Sequence, residues 1–341
     1  MRSSTFIPAR RNGFTLVEVL VVISIIVVLA GILLVALGSA TESAKRAKTT
    51  TSLASFRAAC DSFALDHNFY PGVVPASALD GLRLTSTQNA LLHLMGGYRV
   101  YNAQSPTGDQ AQYNSFRDAA ESESRPYQEL VLNDPATGLD WYLLVVPTRM
   151  GEGPVINGKP YSPYFAPRDS ELVFNTTGSS DYTSGLNTLP NFVDAWGTPV
   201  LYYRQERSSG PMVAPSANES GMFPLTGQNL YINAERLGDL GYCQAQTPGP
   251  GSRLDTGPSG VNEPIKWLTL LLSHPAFYDP DTPTYGTARS KYMVMSAGQD
   301  GVYMARNDGP VDENGAFDYD HDDADHDDLG KFDDIVIYGG G

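Results

Sequence analysis

The chain has 341 residues, enough for one elaborated globular domain behind a separate N-terminal segment. Its formal net charge of −15 makes it a poor partner for phosphate backbones, so no nucleic acid is expected among its partners. Only Cys60 and Cys243 are present, without CxxC spacing, which excludes a disulfide framework and cysteine-held zinc and leaves room for at most one bridge.

The N-terminal stretch RRNGFTLVEVLVVISIIVVLAGILLVAL is cationic at its start, with Arg10 and Arg11, and then apolar. From Phe14 to Leu37 it holds no Lys, Arg, Pro or Asp, and as a helix rising about 1.5 Å per residue it spans roughly the 30 Å hydrocarbon core of a bilayer. A cleavable secretory signal, cut near Gly38, Ser39 and Ala40, is the competing reading, but the run exceeds the roughly 7–15 apolar residues of a signal core. One carboxylate, Glu18, sits near the start of the run. An ionisable group inside a membrane helix costs about 2.5–3.5 kcal/mol on insertion scales and normally has a partner, or else snorkels to the headgroups.

The residues GFTLVE, Gly13 to Glu18, with the segment around them, resemble the N-terminus of type IV prepilins and type II secretion pseudopilins. The resemblance implies cleavage between Gly13 and Phe14 by a prepilin peptidase on the cytoplasmic side, N-methylation of Phe14, and retention of the helix. It also implies a partner for Glu18, the N-terminal amine of a neighbouring subunit. Glycine before the cut leaves the backbone accessible, and Arg10 and Arg11 hold the leader at the cytoplasmic face. Lys45, Arg46 and Lys48 follow the apolar run on its other side, so orientation rests on the processing motif rather than on charge counting.

No proline occurs between Phe14 and Tyr70, and Leu53, Phe56, Cys60 and Phe63 recur at helical spacing, so one helix is expected to continue to about Asn68. Tyr70, Pro71 and Gly72 would stop it. The stretch LDHNFYP followed by LDGLRLTSTQNALLHLMGG is similar to the pseudopilin pattern of a helix end, a Gly-Leu turn and a short helix. Strand-like runs follow at YQELVL, DWYLLVV, TPVLYYR, KYMVM and DDIVIY, separated by polar Gly/Pro/Ser/Asn loops. The expected fold is α+β and pilin-like, a long N-terminal helix packed on a mostly antiparallel sheet with long loops. The expected organisation is a leader at 1–13, a membrane and assembly helix at 14–37, its amphipathic continuation at 38–70, and a head at 71–341. FVDAWGTPVLYYR resembles the Asp-x-Trp-Gly-x-Pro segment of major pseudopilins, which implies Trp196 as a buried plug and Gly197 and Pro199 as a turn. Between Gly97 and Val193, and around Ser208 to Val261, the chain is longer than compact family members.

The acidic end, Ser296 to Tyr338, offers hard oxygen donors without cysteine, a set that favours calcium. Its start SAGQDG and its end DDI resemble the calcium loop of the major pseudopilin, which implies ligands at Ser296, Asp300 and one or both of Asp333 and Asp334. DYDHDDADHDD fails the EF-hand template, because Asp323 stands for the glycine and Leu329 for the final glutamate. For Asp318 to Asp328 a solvated loop and a second cation site remain alternatives, and His321 and His326 read as exposed.

The resemblance implies a structural subunit of a periplasmic pseudopilus, not an enzyme. It would sit in the inner membrane with its N-terminus cytoplasmic and its head periplasmic. The implied partners are the prepilin peptidase, other pseudopilins, the inner-membrane assembly platform and the lipid bilayer. Alternatives are a type IV pilin of a surface fibre and, in a different class, a membrane-tethered metal-dependent hydrolase using the acidic tail.

Overall fold

The computed structural model describes residues 16–74, 79, 84–102, 109–134, 138–174, 189–213, 221–223, 225–226, 229–230, 252–254, 262–279, 286–306, 308–309 and 325–340. The chain divides into two compact units, Met1–Ala47 and Lys48–Gly341. Helix α1, Leu16–His67, contributes to both.

In the first unit α1 is long and apolar enough to cross a membrane by length and composition. The described side chains of its apolar run lie open, with Leu16 80% and Leu37 60% exposed. Two hydroxyls within or beside this stretch bond to the helix itself: Ser24 Oγ donates to the Val21 carbonyl and Thr41 Oγ1 to that of Leu37.

In the second unit the rest of α1 shows the expected periodicity, with Leu53, Phe56, Cys60 and Phe63 all fully buried. Phe56 is the centre of this packing, edge-on to Phe165 and Tyr202 and stacked on Phe192 at 5.4 Å between centroids. The helix ends where Asn68 takes a left-handed conformation, φ 61°, which asparagine tolerates better than most residues. The chain turn that follows is clamped by Arg204, whose Nη1 donates to the carbonyls of Tyr70 and Pro71.

The short helix α2, Ser86–Met95, starts with a capping box between Thr85 and Gln88 and is buried along its whole length. Its polar side chains stitch neighbouring backbone. Asn89 Oδ1 accepts from Val73 N and Val74 N, His93 Nδ1 accepts from Gly72 N, and Thr87 Oγ1 donates to the Val200 carbonyl.

Next come β1 (Tyr98–Asn102), α3 (Asp109–Ser122), β2 (Gln128–Asp134) and β3 (Leu139–Val145). The three strands form an antiparallel sheet in the order β1-β3-β2. Helix α3 sets Tyr113, Phe116 and Ala120 into a core with Leu144 and Val146. Short antiparallel pairs follow, β4 (Val155–Ile156) with β5 (Lys159–Pro160) and β6 (Leu172–Phe174) with β7 (Pro190–Phe192).

Beyond β8 (Leu201–Arg204), the strands β9 (Leu225–Thr226) and β10 (Asn229–Leu230) pair with each other, and α4 covers Asn262–Leu272. Strands β11 (Tyr292–Ser296) and β12 (Ile335–Gly339) then join β8 in the order β12-β11-β8. Among the described residues all five strand groups are antiparallel, as expected, but they make two three-stranded sheets and three ribbons rather than one sheet. Helices α3 and α4 stand in stretches where no helix was expected.

Candidate functional site

The loop after β11 and the segment leading into β12 meet beside the β11–β12 pairing, where Ser296 lies opposite Ile335. Two carboxylates hold this junction together. Asp333 Oδ2 accepts from Gln299 N (2.6 Å) and Asp300 N (3.2 Å), and Asp334 Oδ2 accepts from Met304 N (2.9 Å). Asp300 Oδ1 accepts from Val302 N at 2.8 Å, closing a turn on its own side chain. Gly298 makes the approach possible. Its φ is +70°, and a Cβ there would lie 2.5 Å from Asp333 Oδ1 and 2.7 Å from the Asp333 carbonyl oxygen.

Three of these acids face one another. Asp300, Asp308 and Asp333 each offer a carboxylate oxygen, and the three oxygens lie within 4.8 Å of one another. Calcium takes oxygens at about 2.3–2.6 Å, so donors on opposite sides of one ion stand up to about 5 Å apart, and the cluster has a compatible size. Its electrostatics also fit a cation. Partial desolvation first, then crowding by Asp333 and Asp308, pushes the Asp300 carboxyl up to about 7, although the residue as a whole is exposed. Asp308 is raised by burial and by Asp333, and Asp334 is pushed well above the usual range by burial and by all three neighbours. Behind the cluster, Asp334 Oδ1 is sealed from solvent with no hydrogen-bond partner.

Of the residues expected from sequence, Asp300 and Asp333 are brought together and Asp334 lies close behind. The hydroxyl of Ser296, at the same junction, is engaged by a different acid. Its hydroxyl is fully buried, donates to Asp194 Oδ2 at 2.6 Å and accepts from Gly298 N at 3.3 Å. Asp194 is the acid of the DAWG segment, and its Oδ1 takes Trp196 N and Thr198 N, both at 2.9 Å. Ser296 and Asp194 thus join the DAWG turn to the end of β11, and burial lies with Asp194 (5% exposed) while Trp196, expected as a buried plug, is only half-buried.

Asp308 was not singled out from sequence, because no position of the resemblance falls on it. The visible signal was an Asp-Gly pair in the same polar loop as Asp300. Asp328 is engaged with Lys331 at 2.6 Å, and His326 Nε2 lies 3.1 Å from the Ser273 carbonyl oxygen, edge-on to Tyr278. Asp318 to Ala324, including His321, and Cys243 lie outside the described residues, while Cys60 is buried. Gly13 and Phe14 also lie outside them; Glu18 is the acid in the first turn of α1.

The family described as "Prokaryotic N-terminal methylation motif" matches residues 8–34. A type II secretion system core protein G from Pectobacterium carotovorum subsp. carotovorum is 42% identical over 62 residues, 18% of this chain and 40% of that protein. The protein of the same description from Aeromonas hydrophila is 33% identical over 102 residues, 29% of this chain and 70% of its own length. The match thus spans less than half of the first relative and more than two-thirds of the second, and no solved structure matches. On the processing motif, the α+β fold behind a long N-terminal helix, and this relationship, the chain belongs to the type II secretion pseudopilins, which are structural subunits and not enzymes.

Proposed function

We propose that this chain is a subunit of a periplasmic pseudopilus that supports protein export. A prepilin peptidase cuts it between Gly13 and Phe14 and methylates the Phe14 amine. Helix α1 anchors it in the inner membrane with the N-terminus cytoplasmic and the head periplasmic. The assembly platform then polymerises it, with other pseudopilins, through α1. In the fibre, Glu18 meets the Phe14 amine of a neighbouring subunit, which neutralises two charges and sets axial register. Apolar contacts among Val, Ile and Leu set no such position in lipid. The head carries calcium between Asp300 and Asp333, where the ion would neutralise crowded carboxylates and tie the β11 loop to β12.

The observation that carries the reading is the coincidence of the methylation motif at residues 8–34 with a helix apolar enough to cross a membrane. Mass analysis of protein purified from membranes containing a prepilin peptidase tests it. N-methyl-Phe14 at the mature terminus is expected. A terminus beyond the apolar run, near Thr41, would make the segment a secretory signal and end the proposal.

A further inference from the structure

A second group of cations follows the apolar run of α1, and the processing motif makes no use of it. We propose that Lys45 and Arg46, with Lys48 beside them, are a docking site for anionic phospholipid headgroups in the leaflet away from the leader. The inference rests on the reading of α1 as a membrane anchor and adds the class of lipid that the anchor selects.

The helix sets the depth of these residues. Glu42 is the first charged residue after Glu18, so Gly38 to Thr41 continue the uncharged stretch. At about 1.5 Å per residue, Glu42 stands about 8 Å past Leu37 along the helix, Lys45 about 12 Å and Arg46 about 14 Å. The headgroup layer on each side of the hydrocarbon is about 5–8 Å thick. Side chains of a helix tilt toward its N-terminus, here the membrane side, so a long cation planted just above this layer reaches down into it. Lys45 shows that direction. Its Nζ lies 3.4 Å from Glu42 Oε1, one turn nearer the apolar run and at headgroup depth. Arg46 is exposed, and the same tilt carries its guanidinium toward the same layer.

Charge supplies the second argument. Between Leu37 and Thr49 stand the three cations and one acid, Glu42, in a chain whose formal net charge is −15. This short stretch is therefore a cationic island in an acidic protein. Glu42 does not hold Lys45 away from a phosphate, because a solvent-accessible pair contributes at most about 1 kcal/mol. One cation near an anionic leaflet gains about as much. Orientation does not explain the cations either, since positive charge at this end opposes the asymmetry that Arg10 and Arg11 provide. A zwitterionic headgroup already carries a cation beside its phosphate, so net attraction selects lipids whose phosphate charge is uncompensated.

The test is native mass spectrometry of the full-length chain extracted from vesicles made of equal amounts of phosphatidylglycerol and phosphatidylcholine. Wild type should retain the glycerol lipid in excess. The triple variant Lys45→Gln, Arg46→Gln, Lys48→Gln should lower the ratio of the two retained lipids at least about fivefold. Glu42→Gln should raise it, and Lys159→Gln, in β5, should leave it unchanged. The leader arginines are common to all these proteins, so their contribution cancels. Arg46→Gln alone, with a smaller loss expected, is the second variant should the triple variant fail to insert. An unchanged ratio in both would overturn the inference and leave the anchor intact. An unchanged ratio together with lost cross-linking between copies in pure phosphatidylcholine vesicles would overturn it too, and assign the cations to an acidic surface of a second copy. Wild type that neither retains lipid nor sediments with vesicles would overturn the anchor reading as well.

Discussion

His93 gives the sharpest quantitative expectation. It is 8% exposed in α2, its Nδ1 accepts from Gly72 N at 2.9 Å, and its ring stacks on Phe63 at 5.1 Å. Burial first, then the positive charge of Arg204, pushes its imidazole down to about 3 from an ordinary 6.5. A group depressed in the folded state adds stability that is complete above the unfolded pKa and is lost as pH falls toward the folded one. Between pH 7.5 and pH 5 the unfolded chain takes up this proton and the folded chain does not, a loss of about 2 kcal/mol. Any folded value below about 4 gives the same loss, so the figure depends on burial rather than on fine detail. Urea unfolding at the two pH values measures it. His93→Asn keeps an acceptor for Gly72 N without a titrating ring. The variant should be less stable at both pH values through lost packing, yet its acid loss should be about 2 kcal/mol smaller than that of wild type. Parallel acid losses in the two proteins would refute the reasoning, because the proton uptake would then belong to other groups.

Phe56→Ala removes the ring that Phe165, Phe192 and Tyr202 surround, and should lower unfolding stability by about 3–5 kcal/mol in denaturant titration. Gly298→Ala forces a Cβ to 2.5 Å from Asp333 Oδ1 at φ +70°. It should cost about 1–3 kcal/mol and abolish stabilisation by calcium in thermal unfolding, whereas a melting temperature that still rises with calcium would show that the loop tolerates the side chain.

The long helix was legible because its signals are local and periodic: an uninterrupted apolar run, then Leu53, Phe56, Cys60 and Phe63 on one face, every one of them buried. Its end was expected at about Asn68 and falls at His67, where Asn68 turns the chain by adopting a left-handed conformation, just ahead of Tyr70, Pro71 and Gly72. Helix α4 escaped notice for the opposite reason. From Trp267 to Leu272 every residue is buried, and so short an apolar run does not by itself separate a buried helix from a strand. Helix α3, DQAQYNSFRDAAES, is mostly polar and rests on a sheet of which β2 and β3 were expected, from YQELVL and DWYLLVV, and β1 was not. At the acidic loop, the resemblance named Asp300 and Asp333 at the two ends of the loop, and the fold brings their carboxylates together. Ser296 was drawn in by the same resemblance, although its hydroxyl serves Asp194. Asp308 joins them through the long-range packing of the loop, which has no local signature.

The central claim is assembly of a cleaved subunit through α1, and the most direct measurement is fibre yield, with cross-linking in membranes, for processed wild type and Glu18→Leu side by side. Both proteins should be cleaved at Gly13 and remain in the membrane, the wild type should form fibres whose subunits cross-link through α1, and the leucine variant should form few or none. Equal fibre yield from the two would contradict the account, because Glu18 would then contribute nothing to joining one subunit to the next.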